Sequence, residues 1–273
     1  MDYLQLSINT SDALMREVLI AELAELGFES FEEATDKLLA YIQEQEYDEQ
    51  PVSEMIAQHS LDFTVNKIAQ QNWNATWESS FEPVHVSDYC IIRADFHDKP
   101  DGVQYDIVIT PKMSFGTGHH ATTRLMMGQM RDMNMINKKV LDFGSGTGVL
   151  AILATKEGAA SVTAIDNDEW AYENTVENIE RNDTQSIKVM RGSLDVVEGE
   201  KYDVILANIN RHILLQYMEQ MSAMLNDGGL ILMSGILEED EDVIVGSTVK
   251  NKLQMRTKTT SDKWMCLLFS VKH

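Results

Sequence analysis

The segment Val140-Leu141-Asp142-Phe143-Gly144-Ser145-Gly146-Thr147-Gly148 constrains this chain more than any other. A short apolar run, fit for a buried strand, ends in a glycine turn, and residues 149–156 then carry a helical pattern. Glycine in such a turn lets the backbone approach a ligand that any Cβ would block. The same alternation continues to the end of the chain. Strands are predicted at 139–143, 161–166, 186–191, 202–208, 229–234, 253–259 and 264–271. Helices fit between the first five, notably at 168–181 and 211–225. That order builds a doubly wound α/β sheet of seven strands. The last two strands are too close for a helical crossover, so they are expected as an antiparallel hairpin at the edge.

Three segments carry chemistry. The glycine turn is not a dinucleotide fingerprint of the G-x-G-x-x-G type, because Val149 follows Gly148 and the third glycine comes one residue early. A helix N-terminus favours an anion, which keeps a nucleotide phosphate as a rival ligand. Asp166 ends the second strand, where a carboxylate accepts hydrogen bonds from two ribose hydroxyls. With it, the spelling Asp-x-Gly-x-Gly-x-Gly tips the choice to S-adenosylmethionine, with Gly144 and Gly146 against the cofactor. The second segment, Tyr202-Asp203-Val204-Ile205-Leu206-Ala207-Asn208, ends a buried strand in an amide at the carboxyl edge of the sheet. There Asn208 can accept hydrogen bonds from an amine and align its lone pair with a methyl group; a turn-forming Asn is the competing reading. The third runs from Ser114 to Thr123 and reads as a polar loop able to close over a nucleoside, with Thr123 also placed to cap the next helix. Its adjacent His119 and His120 do not suggest a metal, since sequence neighbours rarely point at one ion and no Cys or carboxylate cluster is near. No metal is expected.

Charge is distributed unevenly. The net charge is −22 over 273 residues, and residues 1–60 hold 14 Asp and Glu against only Arg16 and Lys37. Such a chain is a poor candidate for gripping a phosphate backbone, which argues against direct nucleic-acid binding, and it suits a basic protein partner, with solubility alone as the competing reading. The acidic segment still has a folding pattern. An alternating run at 3–8 leads to a helix capped by Ser11 and stopped by Gly27. Short strands follow at 28–33 and 37–43, then a helix from Pro51 to His59 and a strand at 63–69. That β-α-β-β-α-β order predicts a small α+β ferredoxin-like domain at 1–66. Residues 67–80, with Trp73 and Trp77, are expected as a linker, and 81–273 as the catalytic domain, beginning with strand-like runs at 89–94 and 105–110 around the turn at 98–102. Cys90 and Cys266 are the only cysteines, so no disulfide framework exists and a reducing compartment is expected. There is neither a signal-peptide pattern at the start nor an apolar run long enough for a membrane helix, so the expected location is cytoplasmic.

The sequence resembles the bacterial PrmA family, the methyltransferases of ribosomal protein L11. Phe115-Gly116-Thr117-Gly118, His120, Thr122 and Thr123 match the family's F-G-T-G-T-H-P-T-T loop. Val140 through Ile152 match its V-L-D-x-G-x-G-x-G-I-L-A-I, with Val149 for Ile. Asn208-Ile209 resembles its A-N-I, Ser234-Gly235-Ile236-Leu237 its S-G-I-L, and Trp77, Phe81 and Pro83 its W-x-x-x-F-x-P. The departures are His119 for Thr, Ala121 for Pro and Asn210 for a usually apolar residue. The resemblance implies a Rossmann-like class I methyltransferase domain in which Thr123, Gly144, Asp166 and Asn208 contact S-adenosylmethionine. It also implies an N-terminal substrate-recognition domain. The implied substrate amines are lysine ε-amines and an N-terminal α-amine, carried to trimethylation. Other readings remain open on the residues alone: a methyltransferase for RNA or a small molecule, an NAD-dependent oxidoreductase, or a non-catalytic adenosyl-ligand-binding module.

Overall fold

The computed structural model describes residues 3–34, 36–68, 81–110 and 116–272. It divides into two compact units, residues 1–79 and 80–273. Trp73, Trp77 and the predicted linker around them, together with Ser114 and Phe115 of the polar loop, lie outside the described residues.

In the first unit, β1 (Tyr3–Asn9), α1 (Ala13–Glu25), β2 (Ser30–Glu33), β3 (Lys37–Gln43), α2 (Glu49–Gln58) and β4 (Phe63–Ile68) follow one another. The strands form an antiparallel sheet of order β2-β3-β1-β4, the ferredoxin-like arrangement. Period-two alternation puts Leu6, Ile8, Leu38, Ala40 and Ile42 on one face, where they pack with Leu19, Leu23, Val52 and Ile56 of the helices. Both helix starts differ from the sequence expectation. Asp12, not Ser11, caps α1, its carboxylate accepting from the Leu14 N–H at 2.9 Å. Asp48 caps α2 in the same way, so Pro51 sits within the first turn, where its missing N–H costs nothing.

The second unit opens with a small sheet of β5 (Val84–Val86), β6 (Cys90–Arg93) and β7 (Tyr105–Val108). β5 was not foreseen, and β6 and β7 run parallel, joined by the longer connection 94–104. The main sheet contains β8 (Lys139–Phe143), β9 (Ser161–Asp166), β10 (Lys188–Arg191), β11 (Tyr202–Asn208), β12 (Leu225–Leu237), β13 (Leu253–Ser261) and β14 (Trp264–Val271) in the order β10-β9-β8-β11-β12-β14-β13. The reversal of strand order lies between β8 and β11, the switch point at which open α/β sheets bind ligands. β13 and β14 form the expected antiparallel edge hairpin. On one face α3 (Ala121–Met130), α4 (Val149–Lys156) and α5 (Glu169–Arg181) supply Met126, Leu153 and Ile179 to the core. On the other, α6 (Arg211–Ala223) and α7 (Glu241–Lys250) supply Leu214 and Ile244. α7 was not predicted; its alternation of Val and Ile with small polar residues gives a weak helical signature. Many methionines, among them Met126, Met127, Met130, Met218 and Met221, are buried in these two layers as adaptable core filler. Both cysteines are buried and unpaired.

Candidate active site

The carboxyl edge of the main sheet opens into a cavity of about 1060 Å³. It is lined in strand order by Gly192 after β10, Asp166 ending β9, Gly144 after β8, Asn208 ending β11, Gly235 in β12 and Trp264 starting β14. β14 runs opposite to its neighbour, which brings its first residue to the edge where the parallel strands finish.

The glycine turn spends its donors on itself. Gly144 and Ser145 both donate to the Ile165 carbonyl, at 2.9 and 3.1 Å, and Gly148 donates to the Ser145 carbonyl at 2.7 Å. Gly146 donates to Asp166 Oδ2 at 2.9 Å. A phosphate-binding loop holds such N–H groups open for its anion. Here the N–H groups of Gly144, Ser145, Gly146 and Gly148 are already engaged, which weakens the nucleotide-phosphate reading. The turn is fixed from α5: Thr175 donates to the Gly146 carbonyl and Asn178 to the Thr147 carbonyl, both at 2.9 Å. Asn174, Thr175 and Asn178 are fully buried polar residues on an amphipathic helix, an arrangement that only the tertiary partner explains.

Asp166 is rigidly held. Besides the Gly146 bond, its Oδ1 accepts from the Asp168 N–H at 3.0 Å, and each oxygen keeps a second lone pair for vicinal hydroxyls. Behind it Asp142 is buried, with Oδ2 accepting from the Ala151 N–H at 3.1 Å and Oδ1 without a partner. Burial pushes its pKa up to about 7; the Ala151 bond opposes that rise, and the Asp166 charge adds to it.

Asn208 is buried, and its Nδ2 donates to Thr123 Oγ1 at 3.2 Å. Its Oδ1 is enclosed and has no hydrogen-bond partner. An acceptor left so costs about 1–3 kcal/mol unless a ligand donates to it. Thr123 does not cap α3 and does not line the cavity. His120 is the cap, accepting from the Thr122 N–H, while Thr123 is fully buried in the first turn beneath Asn208. Ala121 takes the first helical position, where proline is favoured in general and alanine is a good helix former. Asn210 caps α6 by accepting from the Ile213 N–H at 3.1 Å, a physical reason for its departure from an apolar residue.

Ile209, next to Asn208, is wedged between two glycines. A Cβ on Gly144, at φ +76°, would lie 2.2 Å from Ile209 Cγ2. A Cβ on Gly235, at φ +84°, would lie 2.2 Å from the Ile209 carbonyl oxygen. Sequence reasoning met Gly235 only as part of a family match without a role and did not single out the cavity residues Tyr217 and Trp264, since their placement depends on partners distant in the chain. Trp170 does line the cavity from α5 and is largely exposed.

A model of the family described as Ribosomal protein L11 methyltransferase (PrmA) matches residues 3–272. The chain belongs to that family. Among its curated relatives, the ribosomal protein L11 methyltransferase of Bacteroides fragilis is 37% identical, covering 98% of this chain and 99% of the relative. That of Porphyromonas gingivalis is 39% identical, over 93% and 90%. The solved ribosomal protein L11 methylase of Lactobacillus delbrueckii subsp. bulgaricus is 30% identical with a TM-score of 0.66, covering 71% of this chain and all of that one. Membership in the PrmA family makes this chain a class I, S-adenosylmethionine-dependent methyltransferase. The residues present fit that donor: a fixed carboxylate suited to ribose hydroxyls and an unpartnered acceptor at Asn208. Among the described residues no helix is long and apolar enough to cross a membrane.

Proposed function

We propose that this methyltransferase acts on a basic protein, the L11 named for its relatives, at lysine ε-amines and the N-terminal α-amine. One observation carries the reading: the buried, unpartnered Oδ1 of Asn208, a residue in the wall of the cavity. An amine N–H is the donor that this oxygen lacks. S-adenosylmethionine, when bound, supplies a methyl group made electrophilic by its sulfonium. Asn208 accepts from the amine and turns its lone pair towards that methyl, the kind of alignment that lowers a bimolecular barrier most. Thr123 engages Nδ2, which leaves Oδ1 as the acceptor without a partner. Gly144 and Gly146 line the cavity where the donor would lie, Gly144 yielding its Cβ space to Ile209, and Asp166 would hold its ribose. A lysine ammonium, with an ordinary pKa of about 10.4, has no lone pair and must lose a proton to water first. Burial next to a sulfonium disfavours the charged form and helps it do so.

Residues 1–66 serve as the substrate-recognition domain in this reading, with 67–80 as a linker and 81–273 as the catalytic domain. The concentration of acid in the first sixty residues supports it, since that field steers a basic ribosomal protein and repels RNA. The enzyme then works in the cytoplasm, where its substrate is made. Intact-mass spectrometry of recombinant L11 incubated with the enzyme and S-adenosylmethionine tests the proposal. Mass gains in methyl steps, absent with Asp166→Ala, are expected. No gain from an enzyme that binds the donor would withdraw the substrate.

A further inference from the structure

We infer that Trp264 and His120 form the acceptor-side wall of the cavity, where the methylated ammonium sits, and so set how many methyl groups one amine accumulates. The inference rests on the proposed reaction and concerns its later steps. Along the sheet, Asp166 lies two strands from Asn208 on one side and Trp264 two strands away on the other. At about 4.8 Å per strand, each is roughly 10 Å from the amide. The ribose carboxylate and the indole therefore flank the reacting amine from opposite directions. The carboxylates lining the cavity among the described residues, Asp166, Asp168 and Glu173, all come from β9, α5 and the turn between them, so among those residues the Trp264 side offers a cation no lining counter-charge.

Methylation itself creates the need for such a wall. Each transfer replaces an N–H with a methyl group, so the neutral dimethylamine that attacks in the third transfer has no N–H left for Asn208 Oδ1, and neither has its trimethylammonium product. A cation without donors is still held by an aromatic face, at about 0.5–2 kcal/mol. Trp264 is half-buried and fixed: it pairs with Leu237 across the sheet, and Ser234 Oγ donates to the neighbouring Met265 carbonyl at 2.8 Å. The His120 ring stands edge-on to it, with centroids 4.8 Å apart at 69°. His120 Nδ1 is held by Thr122, 2.8 Å from its Oγ1 and 3.4 Å from its N–H, which fixes the ring against the indole. Burial, then the nearby Arg124 charge, lowers its pKa and keeps the ring uncharged beside an incoming cation.

The test compares wild type with Trp264→Leu and Trp264→Phe by time-resolved intact mass of L11, with donor affinity measured by calorimetry. The Leu variant is expected to accumulate mono- and dimethyl products, its third transfer slowed about tenfold more than its first, a difference within the range of one cation–π contact. The Phe variant retains trimethylation, and both bind the donor as wild type does. An unchanged ratio of third to first transfer in the Leu variant overturns the inference. Titration with N-acetyl-trimethyllysine amide provides a second readout that needs no turnover. Binding to wild type and its loss in Trp264→Leu are expected; equal binding, or none to wild type, overturns it. A wild type that methylates nothing yet binds this probe through Trp264 would sink the proposed substrate and leave the wall standing.

Discussion

The side-chain amide of Asn208 donates through Nδ2 to Thr123 Oγ1 at 3.2 Å, and this bond leaves Oδ1 as the end of the amide without a partner. Thr123→Val keeps the shape and removes the acceptor, leaving the amide free to turn over. The turnover number is expected to fall about 10- to 100-fold, or roughly 1.4–2.7 kcal/mol of barrier, with donor affinity nearly unchanged. Thr123→Ser restores the acceptor and is expected to keep most of the rate. Steady-state kinetics beside calorimetry separates the two quantities. A Val variant with full activity would show that the bond does not matter.

The wedging of Ile209 gives a prediction for Gly235. An alanine there would place its Cβ 2.2 Å from a backbone oxygen, in a left-handed conformation, and would push the Asn208–Ile209 segment out of position. A loss of about 2–4 kcal/mol in stability with a drop in turnover is expected. Gly228, also left-handed at φ +71° but with open space around its Cβ, is the control: Gly228→Ala is expected to cost only about 1 kcal/mol. Thermal unfolding of the two variants distinguishes crowding from backbone strain.

Asp142 makes the fold sensitive to pH. Its folded-state pKa, up to about 7, lies above the ordinary 3.8, so the folded protein binds the proton more tightly than the unfolded chain. The sign follows: this group's contribution is most favourable below about pH 4 and is lost as pH rises through about 7. Asp142→Asn keeps an acceptor for the Ala151 N–H and cannot ionise. The difference in unfolding free energy between variant and wild type should therefore move in the variant's favour from about pH 4 to about pH 8, by an amount on the order of 1–4 kcal/mol. A difference independent of pH would mean that Asp142 does not carry this penalty.

Steering by the acidic N-terminal segment predicts a salt dependence. Between about 50 mM and about 500 mM ionic strength, screening shortens and the KM for the basic protein should rise several-fold. Donor affinity should stay nearly constant, because the contacts proposed for it are local. Equal KM at both salts would remove the electrostatic part of substrate recognition.

Much of this architecture was legible in the sequence because short-range physics fixed it. The glycine turn, the strand ending at Asp166 and the strand ending at Asn208 each announce themselves within a few residues, through apolar runs closed by a polar or glycine stop. The N-terminal β-α-β-β-α-β order followed from alternation and helical spacing. What escaped depends on partners far away in the chain. Thr123 looks like a cap until Asn208, 85 residues on, is seen to use its hydroxyl, and His120 then proves to be the cap. Trp264 belongs to the cavity only because β14 is antiparallel and starts where its neighbours end. Gly235 has meaning only against the Ile209 carbonyl, and the buried amides of α5 only against the glycine turn.

The central claim is that Asn208 orients the amine. The most direct measurement is the single-turnover rate of methyl transfer to L11 in Asn208→Ala at saturating donor, beside the donor's dissociation constant. The account predicts a rate at least about 100-fold below wild type, the scale of losing one preorganised hydrogen bond at a reacting centre, with donor binding weakened far less. An alanine variant that transfers methyl groups at the wild-type rate would contradict it.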